Sequence, residues 1–180
     1  MSTTESLDQS LLRRPKRADA RRNYDKVVAA ARGAFAERGD ATSLEEIARR
    51  AGVGIGTLYR NFPNRQALLE AVYVDEVESL CRSAAEFESL PPWDAFSAWT
   101  HRLVGYLATK QALAHELLEY FDRDAPLFKT CREALVSAGQ PLLDRAQQAQ
   151  VVRADTNLWD IIQMVGGIAK IPAANPEQIN

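Results

Sequence analysis

The feature that most constrains the fold of this chain is the stretch Thr42–Arg65, TSLEEIARRAGVGIGTLYRNFPNR. Its first part has one apolar face at the spacing i, i+3, i+4 and i+7, formed by Leu44, Ile47, Ala48 and Ala51. Gly52 is placed to end this helix, because glycine adopts the left-handed backbone conformation at low cost. The stretch therefore predicts two short helices around a glycine turn, followed by a third helix.

Local signals predict where these helices begin. Ser43 with Glu46, or Thr42 with Glu45, has the spacing of a capping box, in which hydroxyl and carboxylate each bind a free backbone N–H group. The second helix is expected over about 55–61. Asn64 is expected to cap the third helix.

The second short helix has the composition of a groove-reading element. Leu58 and Phe62 are expected to point inward. The outward positions are Ile55, Gly56, Thr57, Tyr59, Arg60 and Asn61. Thr57 offers a methyl and a hydroxyl group to base edges, and Tyr59 and Arg60 can reach phosphates. The small Gly54 and Gly56 allow the backbone to approach a groove wall closely.

Charge is divided unevenly along the chain. Residues 13–65 contain 13 basic and 6 acidic residues, a net charge of +7, whereas residues 66–180 contain 9 basic and 16 acidic residues, a net charge of −7. The basic segment 13–22, RRPKRADARR, precedes the two short helices and is read either as a solvated tail or as an arm that reaches phosphates. A cationic end on an acidic body is the expected footprint of nucleic-acid binding.

The segment ATSLEEIARRAGVGIGTLYRNFPNRQALLEAVY resembles the DNA-binding domain of tetracycline-repressor (TetR) family regulators, over about residues 21–74. The resemblance implies an all-helical, homodimeric repressor that binds double-stranded operator DNA and whose larger C-terminal domain senses a small molecule. It implies phosphate contacts by Thr42, Tyr59 and Arg65, and groove contacts by Gly54, Ile55, Thr57 and Arg60. Many relatives have serine where this chain has Gly54, so one side-chain contact is absent. With the arm and the cap, the candidate DNA contacts are Arg14, Lys16, Arg17, Thr42, Ser43, Gly54, Ile55, Thr57, Tyr59, Arg60, Asn61 and Arg65.

The predicted architecture is all-α. Residues 1–20 form a flexible basic arm, residues 21–66 a three-helix helix-turn-helix domain, and residues 67–180 a helical domain for ligand binding and dimerisation. Helices are expected at Tyr24–Arg38, Asn64 to about Glu88, Trp93–Lys110, Gln111–Phe121, Leu127 to about Gln148, and Leu158–Ile171. Pro91-Pro92 breaks the chain, and Pro141 is expected to kink the helix that contains it.

The body is expected to hold a cavity between its helices for a neutral or cationic, mainly hydrophobic effector. Two of its segments, beginning at Trp99 and Leu142, resemble the ligand-binding domain of one TetR-family branch. The apolar lining is predicted as Trp99, Leu103, Leu117, Phe121, Phe128 and Met164, with His101 or Tyr106 as polar anchor. For Trp99 and Phe121, a core role and a cavity-wall role both stay open.

The last helix is the candidate dimer interface. Gly166 and Gly167 permit a close helix crossing, which Ile161, Val165 and Ile168 would flank. The alternative is that the glycines only relieve crowding inside one subunit. Asn175-Pro176-Glu177 has the pattern of a further helix start three residues before the sequence stops, so a final helix is expected to be missing or truncated.

Other chemistry has little support in the sequence. The segment HELLE at 115–119 lacks the second histidine of HExxH zinc proteases, and no catalytic residue, metal site or cofactor is predicted. The alternative function is a helical enzyme that uses the His115/Glu116 region, with an incidental basic face. Cys81 and Cys131 are interpreted as buried thiols in a reducing cytoplasm. No apolar run is long enough for a membrane span, so no membrane partner is expected.

Overall fold

A computed structural model of the chain describes residues 14–38, 41–122 and 125–168, apart from the side chains at 108–112, 114, 115 and 168. The described residues form seven α-helices and no strand, as the all-α prediction requires. They are α1 (Ala18–Arg38), α2 (Leu44–Ala51), α3 (Ile55–Asn61), α4 (Arg65–Glu86), α5 (Pro92–Tyr120), α6 (Pro126–Gln148) and α7 (Leu158–Ile168). The predicted helix start at Asn175 lies outside the described residues.

The first helix begins earlier than expected. α1 starts at Ala18 instead of Tyr24, so the last residues of the predicted flexible arm are helical. The alanines and charged residues at 18–22 are compatible with a helix, and no glycine or proline interrupts them. The predicted inner face of α1 is buried, at Val27, Val28, Ala31 and Phe35.

The helix-turn-helix has the predicted boundaries. Ser43 is the N-cap of α2, and its Oγ accepts a hydrogen bond of 3.1 Å from the backbone N–H of Glu46. Gly52 ends α2 in the left-handed conformation, with φ of 66°. α3 spans the residues expected of it, and Leu58 and Phe62 are buried beneath it.

α4 connects the helix-turn-helix to the body. Asn64 caps it, since the Asn64 Oδ1 accepts a hydrogen bond of 2.8 Å from the backbone N–H of Ala67. Its 22 residues extend about 33 Å at the usual rise of 1.5 Å per residue. The helix packs against α1 at one end and against α5 and α6 further along. A movement of α4 therefore changes both parts of the molecule.

One expectation about the helices of the body is corrected. The helices predicted at Trp93–Lys110 and Gln111–Phe121 are one continuous helix, α5, because the residues around the expected break are helix formers without glycine or proline. α7 buries Leu158, Ile162 and Val165 and has one exposed side, on which the Met164 side chain is 60% exposed. α6 runs through Pro141 as one helix. No helix in the described part of the chain is long and apolar enough to cross a membrane.

Candidate nucleic-acid interface and effector site

The outward face of α3 is open to solvent. Leu58 and Phe62 fix the helix on the core, and the opposite side exposes Gly54, Ile55, Gly56, Tyr59 and Arg60. Ile55 and Tyr59 are 39% and 44% exposed on this face and can contact a ligand without any change in the packing of the core. The structure thus brings these candidate groove contacts together on one surface.

Polar side chains on α3 are held by the helix itself. Arg60 donates from Nε to the Gly56 carbonyl at 3.1 Å and from Nη2 to Thr57 Oγ1 at 3.4 Å. The half-buried Asn61 donates from Nδ2 to the Thr57 carbonyl at 2.8 Å. These bonds orient the guanidinium and the amide along the edge of the exposed face before any ligand arrives.

Thr42 is not positioned to bind phosphate through its side chain, which corrects the sequence-based expectation. The residue is 3% exposed, and its hydroxyl donates a hydrogen bond of 3.0 Å to the Ala34 carbonyl in α1. The hydroxyl therefore ties α1 to the start of α2. Its neighbour Ser43 is exposed and caps α2, so of the two alternative caps the structure selects Ser43.

The guanidinium of Arg14 is also bound within the protein and is not directed to solvent. Its guanidinium donates to Asp75 at 3.1 Å and to Glu78 at 2.6 Å, and lies over the Tyr24 ring at 5.9 Å. The Arg14 side chain is 13% exposed and that of Glu78 is 1% exposed. This buried ion pair fastens the chain before α1 to α4, whereas Lys16 and Arg17 are exposed as expected.

Arg65 likewise has partners inside the protein. Its Nε and Nη2 donate to Oε2 of Glu116 at 2.9 and 2.7 Å, and its Nη1 donates to the Thr42 carbonyl. The guanidinium carbon lies 4.9 Å from the centre of the Phe35 ring. Arg65 therefore joins α1, the start of α2 and the body helix α5 at one point.

Sequence reasoning missed the acidic partners of Arg14 and Arg65. Asp75, Glu78 and Glu116 lie on helix positions that are otherwise apolar, and an acid inside an apolar stripe was the available signal. Glu116, which belongs to the alternative enzymatic hypothesis, has a side chain that is 6% exposed, and its Oε2 is bound to Arg65. Among the described residues there is no cluster of three or more metal-ligating side chains.

The outer face of α2 carries a network of ion pairs. Arg50 lies between Glu37 and Glu46, and Arg49 also pairs with Glu46. Hydrogen bonds from Arg50 and Arg49 lower the pKa of Glu46, and Glu46 with Glu37 raises the pKa of Arg50. The two arginines of this helix are thus largely neutralised, whereas Lys16, Arg17 and Arg60 are exposed cations that form no ion pair with any of the described residues.

The centre of the body is partly polar. Tyr73 and Tyr106 lie close together, and burial is the main cause that raises the pKa of both phenols well above the usual 10. Phe128 stands edge-on to Tyr73 at 5.5 Å between ring centres and edge-on to Phe121 at 6.2 Å. A neutral phenol pair beside two aromatic rings is a mixed surface that can bind an apolar molecule with a polar end.

Two of the predicted cavity residues lie elsewhere. Trp99 is fully buried and packs against Gly139, which favours its core role without separating it from the other buried residues of the predicted site. Met164 is exposed on α7. His101 is exposed and lines a shallow surface cavity of about 160 Å³ formed by one face of α5. Leu103, Tyr106 and Leu117 are buried, and Phe121 and Phe128 are half-buried.

A further surface cavity of about 290 Å³ lies between α4 and α6. Its lining residues are Ala84, Glu88, Ala138, Pro141, Leu142 and Arg145. Arg145 closes one side by donating to the carbonyls of Glu88 and Leu90, both at 2.9 Å. None of the predicted effector contacts lines this cavity.

The predicted dimer residues divide between two faces of α7. Val165 is buried against the same subunit, Ile161 is half-buried, and a Cβ added to Gly166 would lie 3.9 Å from Leu107. Gly167 is exposed, with no atom within 4 Å of an added Cβ. The exposed side of α7 is formed by Asp160, Gln163, Met164 and Gly167. The side chain of Ile168 lies outside the described part.

The fold, with an exposed short helix on a helix-turn-helix core and a helical body, defines a DNA-binding transcription regulator of the all-α class. Residues 27–72 match the family "Bacterial regulatory proteins, tetR family", and residues 91–180 match "Transcriptional regulator SbtR-like, C-terminal domain". The chain belongs to the TetR family of transcription regulators.

Solved structures of TetR regulators agree with this assignment. A TetR transcriptional regulator of Streptomyces coelicolor is 39% identical, with a TM-score of 0.72, over 86% of this chain and 89% of that chain. A TetR transcription regulatory protein of Mycobacterium vanbaalenii is 34% identical, with a TM-score of 0.73, over 86% and 93%. The regulator FadR of Bacillus subtilis, in complex with stearoyl-CoA, shares the fold at 22% identity and a TM-score of 0.55, over 81% and 82%.

Proposed function

We propose that this protein is a homodimeric cytoplasmic repressor that binds a palindromic operator and is released from it by a small, mainly hydrophobic effector. The observation that carries the proposal is the exposed outer face of α3, with Ile55, Tyr59 and Arg60 above the buried Leu58 and Phe62. A short helix that is rigidly seated on one side and open on the other can enter a major groove without losing its own packing.

The contacts within the groove follow from position and chemistry. Ile55 and Thr57 present methyl groups to thymine methyls, while Gly54 and Gly56 bring the backbone close to the groove wall. Tyr59 and Arg60 reach phosphates on the flanking backbone, together with Ser43, Asn61 and the exposed Lys16 and Arg17. Gly54 supplies no side-chain contact, so base reading rests on Ile55 and Thr57.

The effector site is proposed between α4, α5 and α6. It contains Leu103, Tyr106, Leu117, Phe121 and Phe128, and it includes Tyr73 as a second hydroxyl beside Tyr106. The neutral phenols would bind a hydroxyl or carbonyl oxygen, and the aromatic rings an apolar portion. A ligand of Bacillus subtilis FadR, stearoyl-CoA, combines apolar and polar portions and is one chemical precedent within the fold.

Release requires that the effector binds one arrangement of α4 better than the other. A ligand with equal affinity for both arrangements shifts no population. Tyr73 lies on α4 itself, so a ligand that separates Tyr73 from Tyr106 would move the helix that begins beside α3. The spacing of the two α3 helices in a dimer would change with it.

The DNA-binding proposal is tested by selection from a randomised duplex pool followed by titration. We expect an inverted repeat whose half-sites lie about one helical turn apart or a multiple of it. Arg60→Ala should weaken binding to all selected sequences, and Thr57→Ala should change the preferred base at one position of each half-site. Arg153→Ala removes an equal charge from the turn before α7 and serves as the matched control. Failure to enrich any duplex, even at low salt, would refute the proposal.

The effector proposal is tested by screening hydrophobic compounds for release of the selected DNA. Phe121→Ala should weaken the response to an active compound by about tenfold or more, because a fully used aromatic contact contributes at least about 1.4 kcal/mol. Val151→Ala, at an exposed position remote in sequence, is the control. Equal release from wild type and Phe121→Ala would show that the site lies elsewhere.

A further inference from the structure

The ion pair between Arg65 and Glu116 connects the DNA-binding end to the body. Arg65 is the first residue of α4, four positions after the last residue of α3, and its guanidinium also binds the carbonyl of Thr42 at the start of α2. It thus stands at the edge of the helix-turn-helix, where the backbone of a bound duplex passes a groove-seated α3. Glu116 comes from α5, 51 positions later in the chain.

The ion pair with Arg65 uses only one of the two carboxylate oxygens of Glu116. Both donors from Arg65 reach Oε2 of Glu116, whereas the buried Oε1 has no hydrogen-bond partner within the described part of the chain. A buried carboxylate with one unsatisfied oxygen is costly, and a buried ion pair contributes little net stability while its disruption strands a charge. Such a pair is better suited to link two states of a protein than to stabilise one.

We propose that Glu116 is a positioning residue for operator binding, which holds the Arg65 guanidinium inside the protein and makes its use as a phosphate contact depend on α5. The inference rests on the proposed function of the protein as a DNA-binding repressor. A phosphate and Glu116 compete for the same guanidinium, whose side chain is 22% exposed. When Arg65 turns to DNA, Glu116 remains buried and unpaired unless α5 moves, and that cost lowers the affinity for DNA.

The competition makes α5 a control element. A molecule bound in the body that keeps Glu116 beside Arg65 would weaken DNA binding, and one that lets Glu116 reach water would strengthen it. The stacking of Arg65 on Phe35 keeps the guanidinium near α1 in both cases. Arg65 therefore needs only a local rotation to exchange partners.

The test is operator titration of the full chain at several salt concentrations. Glu116→Gln removes the charge that retains Arg65, so we expect binding about tenfold tighter at low salt, the worth of one charge-assisted hydrogen bond. The log–log salt slope should steepen by about 0.9 per subunit, as for one added phosphate contact. Glu119→Gln, at an exposed position on the same helix, removes an equal charge without touching Arg65 and should leave the slope unchanged.

A double-mutant cycle identifies the route. In an Arg65→Ala background, Glu116→Gln should no longer tighten binding or change the slope. Weaker or unchanged binding by Glu116→Gln, or the same gain with Arg65→Ala, would overturn the inference.

Arg65→Lys gives an independent measurement if Glu116→Gln does not fold. Lysine lacks the planar fork with which arginine binds Glu116 and the Thr42 carbonyl together, so the salt slope of this variant should also steepen. An unchanged salt slope would count against competition. Wild-type binding to the operator is measured alongside: its absence refutes the repressor proposal itself, whereas its presence with an unaltered Glu116→Gln refutes only the competition.

Discussion

The indole of Trp99 fills the space that a side chain at position 139 would need. A Cβ added to Gly139 would lie 2.4 Å from Cη2 of Trp99, and the indole Nε1 donates to the Leu80 carbonyl at 3.3 Å. Leu80 of α4, Trp99 of α5 and Gly139 of α6 therefore meet at this point. This contact favours the core role of Trp99.

Gly139→Ala is expected to lower the free energy of unfolding by about 1–3 kcal/mol, the usual cost of overpacking a core. Trp99 is fully buried and cannot move aside without losing other contacts. Gly33→Ala is the matched control in the interior of α1, where no atom lies within 4 Å of an added Cβ, and should gain about 0.5–1 kcal/mol. Urea unfolding of both variants checks the pair. Equal effects of the two substitutions would mean that Trp99 is not tightly packed.

Arg14→Ala is expected to destabilise the protein by about 2–3 kcal/mol, because it removes ionic hydrogen bonds from the buried Glu78. Arg17→Ala removes an equal charge from an exposed position and should stay within about 0.5 kcal/mol. The double variant Arg14→Ala/Glu78→Gln should recover part of the loss, because the buried carboxylate, which Arg82 approaches only to 3.6 Å, is then uncharged. Thermal unfolding measures all three. If Arg14→Ala matched Arg17→Ala, the segment before α1 would not be anchored to α4.

Titration of Glu76 should make the protein less stable as the pH rises above 4.5. Burial is the main cause that raises the pKa of its carboxyl above the ordinary 4.5, with a smaller contribution from Asp75, against the opposing effect of Arg32. The folded state therefore holds this proton more tightly than the unfolded chain does. The stability that protonation contributes is complete below pH 4.5 and is lost as the pH rises through the folded pKa.

Glu76→Gln removes this titration. The unfolding free energy of the variant, minus that of the wild type, should increase as the pH rises above 4.5 and then level off. Urea unfolding of both proteins at closely spaced pH values between about 4.5 and 7 measures the difference. A difference that does not change with pH would contradict the burial of Glu76 as the dominant cause.

The exposed side of α7 is expected to be the dimer interface. Gly167→Arg places a large charge there without disturbing the subunit, because no atom lies within 4 Å of an added Cβ. Burying that charge unpaired against a second copy should reduce association at least severalfold. Val151→Arg, at an exposed position before α7, is the control. Light scattering decides: the first variant should be monomeric at concentrations where wild type and control are dimeric.

The helix-turn-helix could be predicted from the sequence because its boundaries depend on local chemistry. Ser43 and Asn64 cap helices through bonds that span three residues, Gly52 ends α2 in a conformation that few other residues adopt, and the apolar spacing selects the inner faces. The same locality explains the errors at helix boundaries. No proline or glycine marks the start of α1 or an interruption in α5. Helix propensities alone are too weak to locate such boundaries, so the predicted start of α1 and the predicted break in α5 were wrong.

The sequence by itself determined the fold class, the short helix α3 with its outward side chains, and the division of charge between the two ends. Only the tertiary structure decided which of the predicted cations and hydroxyls are available to DNA. Arg14 pairs across 64 positions, Arg65 across 51, and Thr42 bonds to the carbonyl of a residue on another helix. Such pairings depend on how whole helices pack. A buried charge or hydroxyl needs a partner, and the packing determines which residue lies close enough to be that partner. No local pattern specifies that partner.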